Sequence, residues 1–169
     1  MRLAGTLLAL AVVAAACGGD PETTPGADDY FSQLARISGN AAIQERGLKR
    51  DLRIRLEKAE LQEDRVDVVV VFVDQSARLY RDVVDALGGL DAPADLLAPQ
   101  AAYADAWRAQ LDNMVKVRDE VQGVAAILRA IDTPLFRDAA AEIRERCDEL
   151  QAAVQALESD VDLRCDGRS

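Results

Sequence analysis

The C-terminal stretch decides the fold of this chain, and it reads 134-PLFRDAAAEIRERCDELQAAVQALESDVDLRC-165. In its first part the apolar residues recur at alternating spacings of four and three, which places them on one face of an α-helix. After Ser159 the period changes to every second residue, which is typical of extended backbone. The chain is therefore predicted to leave the helix and turn back. The helical positions are Phe136, Ala140, Ile143, Cys147, Leu150, Val154 and Leu157, and the extended ones are Val161, Leu163 and Cys165.

Two cysteines of this stretch, Cys147 and Cys165, are predicted to form a disulfide. A continuous helix would hold them about 27 Å apart, whereas a disulfide requires Cα atoms within roughly 4.4–6.8 Å. If the helix ends near Glu158, the seven residues that follow can return up to about 23 Å in extended form, which closes the gap. The alternative is two unpaired thiols, one buried on the helix and one on a mobile tail.

The composition of the whole chain limits its possible fold classes and functions. Its 169 residues are 50% hydrophobic but only 4% aromatic, with few glycines and prolines, which favours a single all-α domain. The net charge of −10 argues against nucleic acid as a partner, because a phosphate backbone would be repelled. The chain has no histidine, so it cannot by itself build a Ser-His-Asp or Cys-His relay or a metal site with imidazole ligands. No cofactor and no metal are expected.

Residues 1–17 resemble the leader of an exported lipoprotein. Arg2 precedes an uncharged apolar run that is too short to span a bilayer and ends in Ala15-Ala16-Cys17. Small residues directly before a cysteine resemble a lipobox, in which the cysteine is lipidated. The resemblance implies a protein anchored through Cys17 to the extracytoplasmic face of the cell membrane. The alternative is cleavage at an ordinary small-residue motif, which leaves Cys17 as a plain thiol.

The cysteine count favours lipidation. Three cysteines in an oxidising compartment leave one unpaired and reactive. If Cys17 carries lipid, all three cysteines are accounted for, one as the membrane anchor and two in a disulfide. Residues 18–27 contain glycine, proline and threonine and are predicted to form a flexible tether. A helical domain is expected over residues 28–165, followed by a disordered end at 166–169.

Four long helices are predicted within the domain. The first covers residues 28–62 and turns near Glu63, and the second covers 66–87. The second contains a run of valines at 68–73 that favours a strand by propensity, but the four-three spacing continues over more than twenty residues and indicates a helix. Its predicted core-facing positions are Val66, Val70, Val73, Ala77, Tyr80, Val84 and Leu87. Glycines and a proline at 88–93 end it. The third helix is expected over 99–131 and the fourth from Pro134, which together favour an antiparallel up-down-up-down bundle with the extended tail folded back on the last helix.

In that topology the aromatic residues gather near the tethered pole of the bundle. They form either a pocket between helices or ordinary core filling by large side chains. The residues concerned are Tyr30, Phe31, Tyr80, Tyr103 and Trp107.

A local excess of positive charge lies on the first helix, in an otherwise acidic chain. It is interpreted either as a contact surface for an anionic partner or as a solvated helix face. The second interpretation rests on pairs at i, i+4 spacing, Glu45 with Lys49 and Asp51 with Arg55. The candidate patch consists of Arg46, Lys49, Arg50 and Arg53.

Three features resemble a group of uncharacterised exported lipoproteins of high-GC, actinobacterial type. They are Asp29-Tyr30-Phe31 after the leader, the break at residues 90–93, and the two cysteine-containing segments 147–151 and 162–165 near the C-terminal end. The resemblance implies lipid anchoring and a helical domain, with no established activity.

The sequence therefore favours a non-enzymatic interaction or structural module of the cell envelope. Its expected partners are the membrane, through the lipid, and an envelope protein or anionic polymer. The alternative is a ligand-binding or sensory bundle that uses the aromatic pocket. An enzyme that uses Asp and Glu as acid and base is a third hypothesis, but no carboxylate pair stands out from solvated helix charge.

Overall fold

The structure is a computed structural model that describes residues 27–120, 123–131 and 133–165. The predicted leader at 1–17, the candidate lipidation residue Cys17, nearly all of the tether and the end at 166–169 lie outside the described residues. Within the described segments the chain is all-helical and contains no β-strand. No helix there is both long and apolar enough to cross a bilayer.

The described segments contain five α-helices and one short 3-10 helix. The chain enters α1 directly at the last residue of the predicted tether. The helices are α1 (Ala27–Lys58), α2 (Gln62–Gly88), the 3-10 helix (Ala94–Leu96), α3 (Leu97–Glu120), α4 (Val124–Ile131) and α5 (Pro134–Ala156).

The third predicted helix is in fact two helices, which corrects the expectation of a continuous helix over 99–131. Gly123 has a φ of 86°, a left-handed conformation that side-chain-bearing residues rarely adopt. Its carbonyl accepts the N–H groups of Ala126 and Ile127 at 3.1 and 3.0 Å, so α4 starts afresh there. The apolar spacing passes unbroken through this position, which is why periodicity did not reveal the break.

The valine run is helical, as its period predicted, and most of the predicted face, including Val73 and Tyr80, is buried; the exception lies within the run itself. Val69 and Phe72 are buried, whereas Val70, predicted to face the core, is 43% exposed. The turn before α2 lies at residues 59–61 rather than near Glu63. Since every position in a run of valines is apolar, the sequence could not show which of them would meet a neighbouring helix.

Successive long helices pack against one another around one core. α2 contacts α1 and α3, α3 contacts α5, and α4 packs on α2 and α3. Leu96 of the 3-10 helix is fully buried and anchors the link between α2 and α3. The largest fully buried apolar side chains are Leu34, Val69, Val73, Tyr80, Leu87, Leu96, Met114, Leu150, Val154 and Leu163.

The tail after α5 folds back on that helix. The Cα atoms of Cys147 and Cys165 are 5.4 Å apart, at disulfide-bonding distance. Gln151 Nε2 donates to the Val161 carbonyl at 2.8 Å, and the Leu163 N–H donates to Gln151 Oε1 at 2.7 Å. Leu163 is fully buried while its neighbours Asp162 and Arg164 are exposed, which is the alternation that the sequence predicted.

Candidate binding site beside the C-terminal disulfide

The five aromatic residues proposed as a pocket are all buried, but their ring contacts form two separate sets. The rings of Tyr30 and Phe31 meet edge to face at 5.4 Å between centroids. Trp107 contacts Tyr80 at 5.5 Å and Tyr103 at 6.2 Å. One set lies in the core, and the other lies beside a cavity.

The Tyr30 set belongs to the core. The Tyr30 hydroxyl donates to Gln100 Oε1 at 2.7 Å, and Gln100 Nε2 donates to the Leu87 carbonyl at 2.8 Å. Gln100 is itself buried, and burial raises the pKa of Tyr30 to about 12. These bonds satisfy a carbonyl at the end of α2, so the polar groups here serve the fold.

Two members of the Trp107 set, Tyr103 and Trp107, line a cavity of about 140 Å³ between α1, α3, α5 and the tail, whereas Tyr80 does not line it. We call it the tail cavity. Its apolar wall includes the Cys147 and Cys165 side chains, so the predicted disulfide is part of the site. The other apolar lining residues are Ala42, Tyr103, Trp107, Ala140, Ile143 and Leu163.

Two residues that line the tail cavity each carry a buried polar atom without a hydrogen-bond partner among the described residues. The atoms are Ser38 Oγ and Trp107 Nε1, on side chains that are each only 3% exposed. Burial raises the pKa of Tyr103, and interaction with the Trp107 and Ser38 side chains, whose geometry falls short of a regular hydrogen bond, lowers it in part, so three polar side chains converge. A buried polar group without a partner costs about 1–3 kcal/mol, which makes this convergence a feature that requires a physical explanation.

Positive charge surrounds the tail cavity. Four basic side chains line it, with Glu45 as the one acidic lining residue, and Lys49 pairs with Glu45 at 2.8 Å. The Tyr80 hydroxyl also lies 3.4 Å from Glu45 Oε1; burial raises the pKa of Tyr80, and the charge of Glu45 raises it further. We call the four basic residues the basic rim, which consists of Arg46, Lys49, Arg144 and Arg164.

Only two of the four residues of the candidate basic patch on the first helix line the tail cavity. Arg46 and Lys49 belong to the basic rim, whereas Arg50 and Arg53 are exposed and do not line the tail cavity. Both predicted helix pairs are present, since Arg55 also lies 3.7 Å from Asp51.

Sequence reasoning missed three residues of this site, Ser38, Arg144 and Arg164. A signal for the two arginines existed, because one precedes Cys147 by three residues and the other directly precedes Cys165. Residues so placed lie beside a disulfide once it closes. No comparable signal marked Ser38, since a serine in a helix usually faces water or bonds to its own backbone.

The other grooves of the described surface have fewer features of a ligand-binding site than the tail cavity. A groove of about 420 Å³ runs between α1 and α2, but exposed side chains such as Gln75, Arg78 and Asp82 form most of its lining. Within residues 27–120, 123–131 and 133–165, no group of three cysteine or carboxylate side chains is placed to hold a metal ion. The tail cavity is therefore the site on which a functional argument can be built.

The fold and site together define an all-helical domain whose C-terminal tail closes a small cavity with a basic rim. Comparisons of this chain with protein-family models, curated proteins and solved structures found no match.

Proposed function

We propose that this protein is a lipid-anchored module of the cell envelope that acts by non-covalent binding. The observation that carries the proposal is the Cys147–Cys165 pair at disulfide-bonding distance. Disulfides persist in oxidising compartments and are rare in the cytosol of mesophilic cells. A stable pair in this position agrees with an exported chain, as expected from the leader at residues 1–17.

The anchoring part of the proposal follows from the cysteine count. The chain has three cysteines, and the helical domain uses two of them with each other. Cys17 is then the residue left to accept lipid, in agreement with the small residues that precede it. This combination supports the proposal that the protein is an exported lipoprotein of the actinobacterial type that the sequence resembles, held on the extracytoplasmic face of the membrane.

We also propose that the long helices form an up-down-up-down bundle, with α4 as an added short helix. The packing order supports this topology, because α1 contacts α2, α2 contacts α3, and α3 contacts α5. The short link between α1 and α2 favours an antiparallel arrangement of these two helices.

Exchange of the proposed anchor tests the assignment. The Cys17→Ser variant, expressed in the native host, is expected to move from the detergent phase to the aqueous phase or to accumulate with its leader uncleaved. The control is Ser32→Ala, an exposed position on α1, which should partition as the unaltered protein does. Unchanged detergent partitioning of the Cys17→Ser variant would contradict lipid anchoring.

A second candidate function, binding of a small ligand, is favoured by a specific observation. The tail cavity combines an apolar wall with two buried polar atoms that lack partners among the described residues. A small-molecule site typically has this composition, an apolar lining with a few convergent polar groups. Under this proposal Tyr103 and Trp107 contribute to the pocket, whereas Tyr30 and Phe31 belong to the core.

A further inference from the structure

We infer that the tail cavity binds a small organic anion, a carboxylate carried on a compact apolar group. This inference rests on the second proposed function, ligand binding, and names the chemical class of the ligand. It is independent of lipid anchoring. Size, hydrogen bonding and charge each constrain the ligand separately.

The size of the tail cavity sets the apolar part of the ligand. Its volume is about 140 Å³, and an apolar cavity of about 150 Å³ is known to accommodate benzene. A single ring or a short branched chain therefore fits beside Tyr103, Trp107 and Ile143. The tail cavity is smaller than the pockets of roughly 300–1,000 Å³ that hold drug-sized ligands.

Hydrogen bonding sets the polar part of the ligand. An indole N–H can only donate, so Trp107 Nε1 requires an acceptor. The Ser38 hydroxyl can donate as well, and both atoms are buried without a partner among the described residues. A ligand that carries acceptor oxygens would satisfy both groups at once. Hydrogen bonds to an ionised acceptor are roughly twice as strong as neutral ones, which favours a carboxylate.

Charge at the entrance selects an anion over a cation. Arg46, Arg144 and Arg164 form no ion pair with any described residue, and Lys49 has Glu45 as its partner. The rim therefore carries a local excess of three positive charges on a chain whose net charge is −10. A carboxylate near the rim is attracted, whereas a cationic ligand is repelled.

The test uses the full chain, purified in detergent, and three probes of similar size or charge. Benzoate combines a ring with a carboxylate, benzamide is its neutral counterpart, and inorganic phosphate is an anion without an apolar part. The chain has one tryptophan, so the indole N–H resonance of Trp107 reports directly on the site. We expect saturable shifts of this resonance, with benzoate binding about tenfold more tightly than benzamide and phosphate leaving it unmoved.

Variants of the basic rim distinguish direct contacts with the benzoate carboxylate from long-range electrostatic attraction. Arg144→Gln combined with Arg164→Gln is expected to weaken benzoate binding about tenfold while leaving benzamide unchanged, because only the charged ligand loses its partners. The matched control is Arg50→Gln combined with Arg53→Gln, which removes the same charge from exposed positions outside the tail cavity. This control should bind benzoate as the unaltered protein does.

The outcomes distinguish the two levels of the proposal. If benzamide binds as tightly as benzoate, the cavity is a ligand site but not an anion site, and the inference is wrong. Equal losses in the rim and control variants would also overturn it, since long-range attraction would then explain the preference. If none of the three probes moves the indole resonance, both the inference and the ligand-binding function fail, while lipid anchoring stands.

Discussion

Ser38 is an unusual residue at which stability and binding can be in conflict. Its hydroxyl is buried on α1 and has no hydrogen-bond partner among the described residues. Such a group lowers the stability of the fold, because it loses water without gaining a protein partner. Trp107 Nε1 shares this property, and the two residues line the same cavity. Proteins retain destabilising groups of this kind most readily where a site uses them.

At the residue scale, Ser38→Ala is expected to raise the free energy of unfolding by about 1 kcal/mol in the absence of ligand. The change removes an unpaired hydroxyl and places a better helix former in α1. Urea denaturation followed by circular dichroism measures the effect. The contrasting variant is Thr133→Val, because Thr133 Oγ1 donates to the Ala130 carbonyl at 2.7 Å and its loss should destabilise. A similar loss of stability in both variants would show that Ser38 has a protein partner.

At the scale of elements, the C-terminal tail contributes to both the core and the site. Leu163 is fully buried in the core, and it lines the tail cavity together with Arg164 and Cys165. The side-chain amide of Gln151 bonds to the tail backbone at two points, so polar contacts and the cysteine pair hold the same short segment. Release of this segment would expose a buried leucine and open one side of the cavity.

Removal of the cysteine pair is therefore expected to affect stability and binding together. Cys147→Ser combined with Cys165→Ser should lower the free energy of unfolding by up to about 3 kcal/mol, the value for a closed loop of this size. The Leu163 amide should exchange with solvent faster, because its bond to Gln151 is no longer held in place.

Gln151→Met provides the matched control, since it removes both side-chain bonds to the tail but leaves the cysteines paired. It should accelerate exchange at Leu163 while the two cysteines still map to one non-reduced peptide. Unchanged stability and slow exchange at Leu163 in the double serine variant would show that the pair does not hold the tail.

At the scale of the whole molecule, acidic and basic charges are unevenly distributed. The net charge is −10, yet the tail cavity has a positive rim. Most exposed ion pairs are local helix pairs, such as Arg146 with Glu142 at 2.6 Å, and contribute little to stability. Salt should therefore weaken benzoate binding more than it weakens the fold.

The titratable groups of the whole domain predict a characteristic pH dependence. With no histidine, stability should change little between about pH 6 and about pH 9. All three tyrosines are buried, and burial raises the pKa of Tyr30 to about 12 and raises those of Tyr80 and Tyr103 as well. Above about pH 10 the unfolded chain releases phenolic protons that the folded chain retains.

Stability is thus intact below about pH 10 and declines as the pH rises further, by up to about 1.4 kcal/mol per pH unit for each tyrosine. Tyrosinate absorbance should appear together with the loss of helical circular dichroism. Tyr30→Phe removes one titrating group and should reduce the slope. Tyrosinate formation near pH 10 in a chain that keeps its helicity would contradict the burial of these side chains.

The sequence by itself determined the features that depend on local periodicity and reach. The change of period after Ser159 predicted the returning tail, and the distance that seven extended residues can cover predicted the pairing of Cys147 with Cys165. The four-three spacing likewise showed that the valine run is helical. These inferences succeeded because each depends on residues close together in the chain.

Only the tertiary structure decided which helix faces meet. It turned Val70 outward, and it revealed the break at Gly123, which the surrounding apolar spacing concealed. It also brought Ser38, Trp107 and Arg164 to one cavity from three elements. Periodicity identifies an apolar stripe on a helix but not the stripe that packs against it. A cavity lined by several helices therefore depends on packing between segments distant in sequence, which no single stretch of this chain encodes.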